Sequence, residues 1–439
     1  MEKLVTINIP EDVKYLLKML IDSGYEAYVV GGAVRDSILG FNPKDYDITT
    51  NATPEQMLET FKDFKVIETG LKHGTLTVHY NNENYEITTF RLDGKYSDGR
   101  HPDSVTFTDS LKEDLSRRDL TINALAADIE GNIIDYFDGL KDLRCTNAHI
   151  KTVGCAEDRY NEDVLRILRT IRFAARYEGE IDDEALKAIK VVAPKINEIS
   201  IERIISELKL ILSTKNCSSY IHLALGVLQY HESFKEIVES LVHSLNYLNM
   251  MKALDKGNNC LEKAALLLSA SYNKVFTDEI STVNYLKKVL KLPAAESKII
   301  AFILCDKSFN SLSLFNNSVK DRKIRIYFSN IMRHLKVDKS SAYSILKYQY
   351  FVQRHEQMPE ELDEYICKDL HSNAALILSD LKINGNDLLA IGIPSNLIGL
   401  ILYDLLTLVL NDPSINYKPE LLDTAKNIYD TLGAMKGVK

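Results

Sequence analysis

The chain is poor in the features of secreted, disulfide-stapled or membrane-spanning proteins. It has six cysteines in 439 residues, Cys145, Cys155, Cys217, Cys260, Cys305 and Cys367, and no two form a C-x-x-C pair. That spacing argues against a zinc ribbon and a disulfide framework. A reducing cytosol is the simplest setting, so a cytoplasmic protein is expected. The N-terminal stretch MEKLVTINIPEDV lacks the apolar core of a signal peptide. The longest apolar run, Leu397 to Leu410, is broken by Asp404 and is too short to span a bilayer, so it reads as a buried helix. Low-complexity linkers and short-period repeats are missing too. So is an excess of positive charge: the net charge is −9, which on its face argues against a nucleic-acid partner.

That global figure hides an uneven distribution. Between Lys320 and Arg354 there are nine Lys and Arg (Lys320, Arg322, Lys323, Arg325, Arg333, Lys336, Lys339, Lys347 and Arg354) against Asp321 and Asp338, a local net charge of +7. Tyr327, Tyr343, Tyr348 and Tyr350 are interleaved. The pattern fits a surface that tracks phosphates. It equally fits a solvated helical face balanced by acids elsewhere.

Apolar residues make up 45% of the chain, ample for a core, and the length suits two to four domains. Residues 1 to about 150 mix helix and strand signals. Pro10 to Ser23 reads as an amphipathic helix with proline at its start. Strands are expected at Tyr28–Gly31, Asp47–Thr50, Thr75–Tyr80, Tyr85–Phe90 and Asn132–Tyr136. After about residue 155 the strand signals stop and helical spacing takes over, as in Leu165, Leu168, Ile171, Phe173 and Ala175. The fold class expected is α+β, with a small mixed sheet in an N-terminal head and an all-helical remainder.

One short stretch concentrates the chemistry. Glu26 to Val30 reads as a buried strand, and Gly31 and Gly32 let the backbone approach a bulky anion. The following AVRDSILG opens a helix whose free N–H groups favour phosphate. Arg35 adds a cationic fork. Asp45 and Asp47 follow in KDYDITT. Two apart on a strand they share a face, roughly 7 Å apart, and can hold one or two hard cations.

The order GGAVRD then KDYDITT resembles the active-site signature of the polymerase-β nucleotidyltransferase superfamily. More narrowly, it resembles the bacterial class II tRNA nucleotidyltransferases, the CCA-adding enzymes. YEITTFR (Tyr85 to Arg91), DGRHPDSVTF (Asp98 to Phe107), RRDLTINALA (Arg117 to Ala126), DYFDGLKDL (Asp135 to Leu143), NEDVLRILRTIRFAAR (Asn161 to Arg176) and SIERIISEL (Ser200 to Leu208) follow in the family's order. The tail INGNDLLAIG (Ile383 to Gly392) resembles the subgroup of Gram-positive bacteria.

The resemblance implies template-independent addition of CCA to tRNA from CTP and ATP, with Mg2+ as cofactor. It also implies a head at 1–150, a neck at 151–216, a body at 217–375 and a tail at 376–439. Glu86 would complete a two-metal site with Asp45 and Asp47, or else is an outward strand residue. Arg118, Asp119 and Asn123 would meet phosphate and ribose, the last two on one helical face at i, i+4; they also fit a capping cluster. Glu162, Asp163 and Arg166 match the family's E-D-x-x-R amino-acid template, and Arg169 and Arg172 match its nucleotide-contacting arginines. Asp163, Arg166 and Arg169 are expected as a stripe along one helix. Cytosine and adenine present an amino donor beside a ring-nitrogen acceptor, so one carboxylate and one arginine can select them against uracil and guanine. In isolation the same spacing fits a salt bridge on a solvated helix.

The Asp98 to Phe107 segment resembles the loop that relatives use for the final adenosine, with Gly99 and Pro102 bounding it. Relatives that add only CC lack this loop, so its presence favours full CCA addition over CC-only addition and leaves A-only addition open. The basic G-[RK]-R-F segment of bacterial poly(A) polymerases is absent; LKHGTLTVHY stands there. Many relatives carry AALLHDIGK in the helical body. Here Ala264 to Lys274 reads AALLLSASYNK, with Leu268 and Ser269 at the metal-binding places. Neither residue ligates a divalent metal well, so packing rather than phosphohydrolysis is expected there.

Overall fold

The structure, a computed structural model, describes residues 6–68, 70–94, 104–144, 147–306, 320–371 and 375–436. It divides into two compact units, Met1–Glu239 and Ser240–Lys439.

The first unit begins with α1 (Glu11–Asp22), β1 (Ala27–Val30), α2 (Gly32–Ile38), β2 (Asp47–Thr50) and α3 (Pro54–Thr60). Strands β3 (Lys65–Ile67), β4 (Thr75–Tyr80), β5 (Glu83–Thr89), β6 (Arg91–Asp93) and β7 (Val105–Phe107) follow. Next come α4 (Leu111–Ser116), β8 (Leu125–Ala127), β9 (Ile133–Asp135), α5 (Gly139–Arg144) and β10 (His149–Ile150). The rest is helical apart from β11 (Glu180–Ile181): α6 (Ala156–Glu162), α7 (Leu165–Tyr177), α8 (Asp183–Val192), α9 (Ile201–Leu212) and α10 (Ser218–Leu228).

Seven strands form one mixed sheet in the order β3-β4-β5-β2-β1-β8-β9. Only the β2–β5 pairing is parallel. Helix α1 covers the sheet because Val13, Leu16, Leu17 and Leu20 recur at helical spacing and are buried. They join Val29, Ile48, Leu76 and Ile87 in one core. On β5, Tyr85, Ile87 and Thr89 turn inward while Glu86 is exposed, the period-two alternation of a half-buried strand. The register then aligns the chemistry. Val30 pairs with Asp47, so the double-glycine turn leaves β1 beside the start of β2, and Ile48 pairs with Ile87, so Glu86 sits next to Asp47.

Four expectations need correction. RRDLTINALA is not a helix: α4 ends at Ser116, Thr121–Asn123 is one 3-10 turn, and Leu125–Ala127 is a strand. Its Leu and Ala residues favour helix by propensity, and pairing to β1 and β9 overrides that preference. Strand signals do not stop at residue 155, because Glu180–Ile181 pairs in parallel with His149–Ile150. Two residues are too few to show a period. The stripe of Asp163, Arg166 and Arg169 does not lie on one helix. Asp163 ends α6 in an extended conformation (φ −146°, ψ 107°), and its carboxylate accepts the Leu165 N–H at 3.0 Å, starting α7 afresh. Finally, Leu397 to Leu410 is half-buried: in the helix Ser395–Asn411 the side chains of Ile401, Leu405, Leu406, Val409 and Leu410 turn inward, while Leu400, Tyr403 and Leu408 are exposed.

The second unit is helical throughout its named elements. In the helix Cys260–Ser269, Leu268 is buried and the Ser269 hydroxyl donates to the Leu266 carbonyl at 2.6 Å. Among the described residues no helix is long and apolar enough to cross a membrane.

Candidate active site

A cleft of about 720 Å³ opens in the first unit. Its walls carry Gly31 and Gly32 of the turn, Asp47 of β2, Arg117, Arg118, Asp119 and Asn123 of the segment after α4, and Asp163 with Arg166, Arg169 and Arg172 beyond α6. Eight arginines line it against three aspartates, in a chain whose net charge is −9. Arginines concentrated in one concavity make a site for a polyanion.

Gly31 is required by geometry. Its backbone (φ 72°, ψ −126°) is one that residues with a Cβ rarely adopt, and a Cβ there would lie 2.9 Å from Arg118 Nη1. Arg118 reaches the turn as part of the cleft wall and is partly buried, and burial pushes its pKa down. Its Nε has no hydrogen-bond partner among the described residues. Arg35 is less free than a phosphate fork would be. It is buried, bonded to Asp36 at 2.8 Å and to Asn123 Oδ1, with its guanidinium 4.8 Å from the Phe173 ring.

Asp45 lies just before β2 rather than on it, while Asp47 is the strand's first residue. Asp45, Asp47 and Glu86 are all exposed. Crowding by surrounding protein raises the Asp47 pKa, opposed by Arg118 and reinforced by Asp45. Glu86 is likewise raised, first by the loss of water to the surrounding protein and then by Asp47 and Asp45. The charges of Asp45 and Asp47 thus reach Glu86, and that of Asp45 reaches Asp47. The three carboxylates do not close into a cage: among the described residues no three acidic, His or Cys side chains converge as a ready metal site. Exposed hard oxygens with free lone pairs suit a cation that takes its remaining ligands from phosphate and water, the usual manner of Mg2+.

Asp119 and Asn123 do meet, although through a 3-10 turn rather than a helical face. Asn123 Nδ2 donates to Asp119 Oδ1 at 2.9 Å, and Arg169 Nε donates to Asp119 Oδ2 at 2.7 Å. Burial alone would push the Asp119 pKa up; Arg169, Asn123 and Arg166 outweigh it and hold the carboxyl well below the usual range. Asp163 Oδ2 is bonded by Arg203 at 2.7 Å. Arg166 is bonded to Glu162, and Glu162 also takes Arg159 at 2.8 Å. Glu162 therefore stands behind the wall as a holder of arginines. Arg172 pairs with the buried Glu207 at 3.3 Å.

Several cleft residues escaped the sequence reading. Arg117 was visible as half of a doubled arginine, and Arg176 lies four residues after Arg172 on the same helix. Phe173, expected only as core, carries three guanidiniums around its ring, those of Arg172, Arg35 and Arg169 at 4.2, 4.8 and 5.7 Å. Arg91, His73 and Thr75 gave no local signal. Residues 98–103 of the DGRHPDSVTF segment, with Gly99 and Pro102, lie outside the described residues.

The basic stretch forms the helices Lys320–Leu335 and Lys339–Arg354. Much of it serves packing. Arg325 is buried and its Nε donates to the Leu410 carbonyl at 3.1 Å. Tyr327 and Tyr350 are buried, Tyr343 bonds Asp363, and Lys347 pairs with Asp363 at 2.9 Å. Lys323, Arg333 and Lys336 are exposed, and the side chains of Lys320 and Arg322 lie outside the described residues.

Residues 27–148 match the model of the poly A polymerase head domain, and residues 180–237 match that of a probable RNA and SrmB-binding site of polymerase A. The chain is 34% identical over 382 residues to the CCA-adding enzyme of Staphylococcus aureus (strain Newman), covering 87% of this chain and 88% of that one. It is 33% identical over 436 residues to the CCA-adding enzyme of Ligilactobacillus salivarius, covering 97% and 99%. Among solved structures, the CCA-adding enzyme of Bacillus stearothermophilus in complex with CTP superposes with a TM-score of 0.75 at 27% identity, over 97% of this chain and 98% of that one. The Thermotoga maritima enzyme complexed with tRNA shares the fold, with a TM-score of 0.63 at 21% identity over 98% of this chain and 100% of that one.

Proposed function

This chain belongs to the family of the CCA-adding enzymes, and from that premise we infer how its cleft works. It adds CCA to the 3′ end of tRNA from CTP and ATP, without a nucleic-acid template, and releases pyrophosphate. The observation that carries the mechanism is the arginine-lined cleft that holds both Asp47 and Asp163 in its lining.

The triphosphate lies against Gly31 and Gly32, where Arg118 gives the countercharge. Asp119 and Asn123 face the ribose. The base lies toward Asp163 and Arg166. Two lone pairs of the Asp163 carboxylate are taken by Arg203 and the Leu165 N–H, and the rest can accept an amino hydrogen of cytosine or adenine. Arg169 and Arg172, held by Asp119 and Glu207, stiffen that wall. Asp45 and Asp47 would hold Mg2+, with Glu86 beside them; bound there, it would supply a lowered pKa for the attacking 3′-hydroxyl and countercharge for the leaving pyrophosphate. The head at 1–150 and neck at 151–216 would contain this chemistry, while the body at 217–375 and tail at 376–439 hold tRNA. The setting is the cytoplasm.

The test is incubation with tRNA lacking CCA, Mg2+ and labelled nucleotides, followed by sizing. CTP alone should extend the tRNA by two residues, and CTP with ATP by three. A run of adenosines from ATP alone would make it a poly(A) polymerase. Products that stop at two residues with both nucleotides would make it a CC-adding enzyme, and extension of tRNA ending in CC only, an A-adding one.

A further inference from the structure

The cleft contains two neighbouring arginines, Arg117 and Arg118, that share one carboxylate behind them. Asp114 lies on α4 between the buried Leu111 and Leu115 and is itself fully buried, at 0% exposure. Its Oδ1 accepts Arg117 Nε at 3.0 Å and Nη2 at 2.9 Å. Its Oδ2 lies 3.7 Å from Arg118 Nη2. The same carboxylate accepts the Arg91 N–H at 3.3 Å and the Thr49 hydroxyl at 3.3 Å. Thr49 is two residues along β2 from Asp47.

A carboxylate withdrawn from water is tolerated only where it is paired and hydrogen-bonded. Asp114 meets that condition by holding two guanidiniums, and both line the cleft. One buried carboxylate thus fixes two guanidiniums at the wall of the cleft, Arg118 beside Gly31. The carboxylate also ties them to the strand that carries Asp47. Fixed charges cost no reorganisation when the ligand arrives.

We propose that Asp114 is a positioning residue that presets Arg117 and Arg118 for the triphosphate, acting on the phosphates and not on the base or ribose. This rests on the reading of the cleft as the nucleotide site.

The experiment compares CTP and CMP binding to the full chain with Mg2+, by calorimetry. Asp114→Asn keeps the shape and removes the charge. It should weaken CTP roughly tenfold, the scale of one charged hydrogen bond, and leave CMP within about twofold. Asp114→Ala removes the shared carboxylate altogether and serves as the second variant, with the same selective loss expected. Thr49→Val removes a bond to Asp114 without touching either arginine, and it should leave the CTP-to-CMP ratio unchanged. Equal loss of CTP and CMP in both Asp114 variants, or CTP binding retained, would overturn the proposal. Arg118→Met separates the two layers. If it shifts the ratio and the Asp114 variants do not, only the positioning role falls. If it too leaves the ratio unchanged, the triphosphate reading of this wall falls and takes the positioning role with it.

Discussion

Replacing each of the two adjacent glycines by alanine should separate backbone strain from ligand contact. Gly31 has φ 72°, and a Cβ there meets Arg118 Nη1 at 2.9 Å. Forcing alanine into that conformation costs on the order of 1–3 kcal/mol. Arg118 cannot retreat freely, because Asp114 lies 3.7 Å from its Nη2. In a compact unit of this size, roughly 2–4 °C of melting temperature is lost per kcal/mol, so Gly31→Ala should melt about 2–12 °C lower. Gly32 differs. It is the first residue of α2, it has no positive φ, and the nearest atom to its Cβ, Arg35 Nη2, lies at an ordinary 3.6 Å. Gly32→Ala should therefore melt no lower than the parent and up to about 4 °C higher, since a tolerated Gly→Ala change stabilises by only about 0.4–1 kcal/mol. Its methyl group still projects into the phosphate space, so KM for CTP should rise while stability holds. The assay pairs thermal melting with single-nucleotide addition to tRNA lacking CCA. Gly31→Ala with parental stability would refute the strain argument. Gly32→Ala with a parental KM would show that the triphosphate does not approach this turn.

Asp163→Ala should let UTP gain on CTP by roughly 10- to 150-fold in kcat/KM, the span of one charged hydrogen bond, and unchanged selectivity would place base choice elsewhere. Asp119 has a depressed pKa in the folded chain, so its stabilisation is complete above its ordinary value of 3.8 and is lost as pH falls through the lower folded value. The melting difference between parent and Asp119→Asn should accordingly hold from pH 7 down to about 4 and narrow below that; a gap that widens on acidification contradicts the pairing. Arg325→Met should cost about 1–3 kcal/mol by leaving the Leu410 carbonyl without its donor, whereas Lys323→Met should stay within about 0.5 kcal/mol; equal denaturation midpoints would show that Arg325 is not built in. Neutralising Lys323 and Lys336 should flatten the salt dependence of tRNA affinity by roughly one logarithmic slope unit for each phosphate that no longer meets a cation, and an unchanged slope removes this stretch from the interface.

What was legible in the sequence was mostly local. The strand at Asp47–Thr50, the glycine turn before α2 and the amphipathic α1 follow from periods of two and 3.6 and from backbone freedom. The meeting of Asp119 with Asn123 was also foreseen, but for the wrong reason. A 3-10 turn folds the chain back where a helical face was expected. Long-range pairing was illegible. Nothing near Leu125–Ala127 indicates that β1 and β9 will claim it as a strand, and nothing near Asp163 indicates that Arg203, forty residues on, will hold it. Nothing around Asp114 in the sequence marks it for burial, because burial is decided by what packs over a residue and not by its neighbours in sequence.

The chain of contacts that runs Arg35–Asn123–Asp119–Arg169 has a consequence for how the protein is made. Arg35 and Asn123 are 88 residues apart, Asp119 and Arg169 are 50 apart, and Asp36 bonds Arg176 across 140 residues at 3.0 Å. Closing loops of that length costs entropy before any contact repays it. On the ribosome, the glycine turn and the aspartates of β2 emerge long before α7. Until Arg169 and Arg176 leave the exit tunnel, Asp119 and Asp36 lack these cationic partners. A nascent chain arrested after about Asp163 would have most of the sheet strands and no finished cleft. Synthesis at about 5–20 residues per second sets how long that unfinished state lasts, and it should be the stage most open to proteolysis.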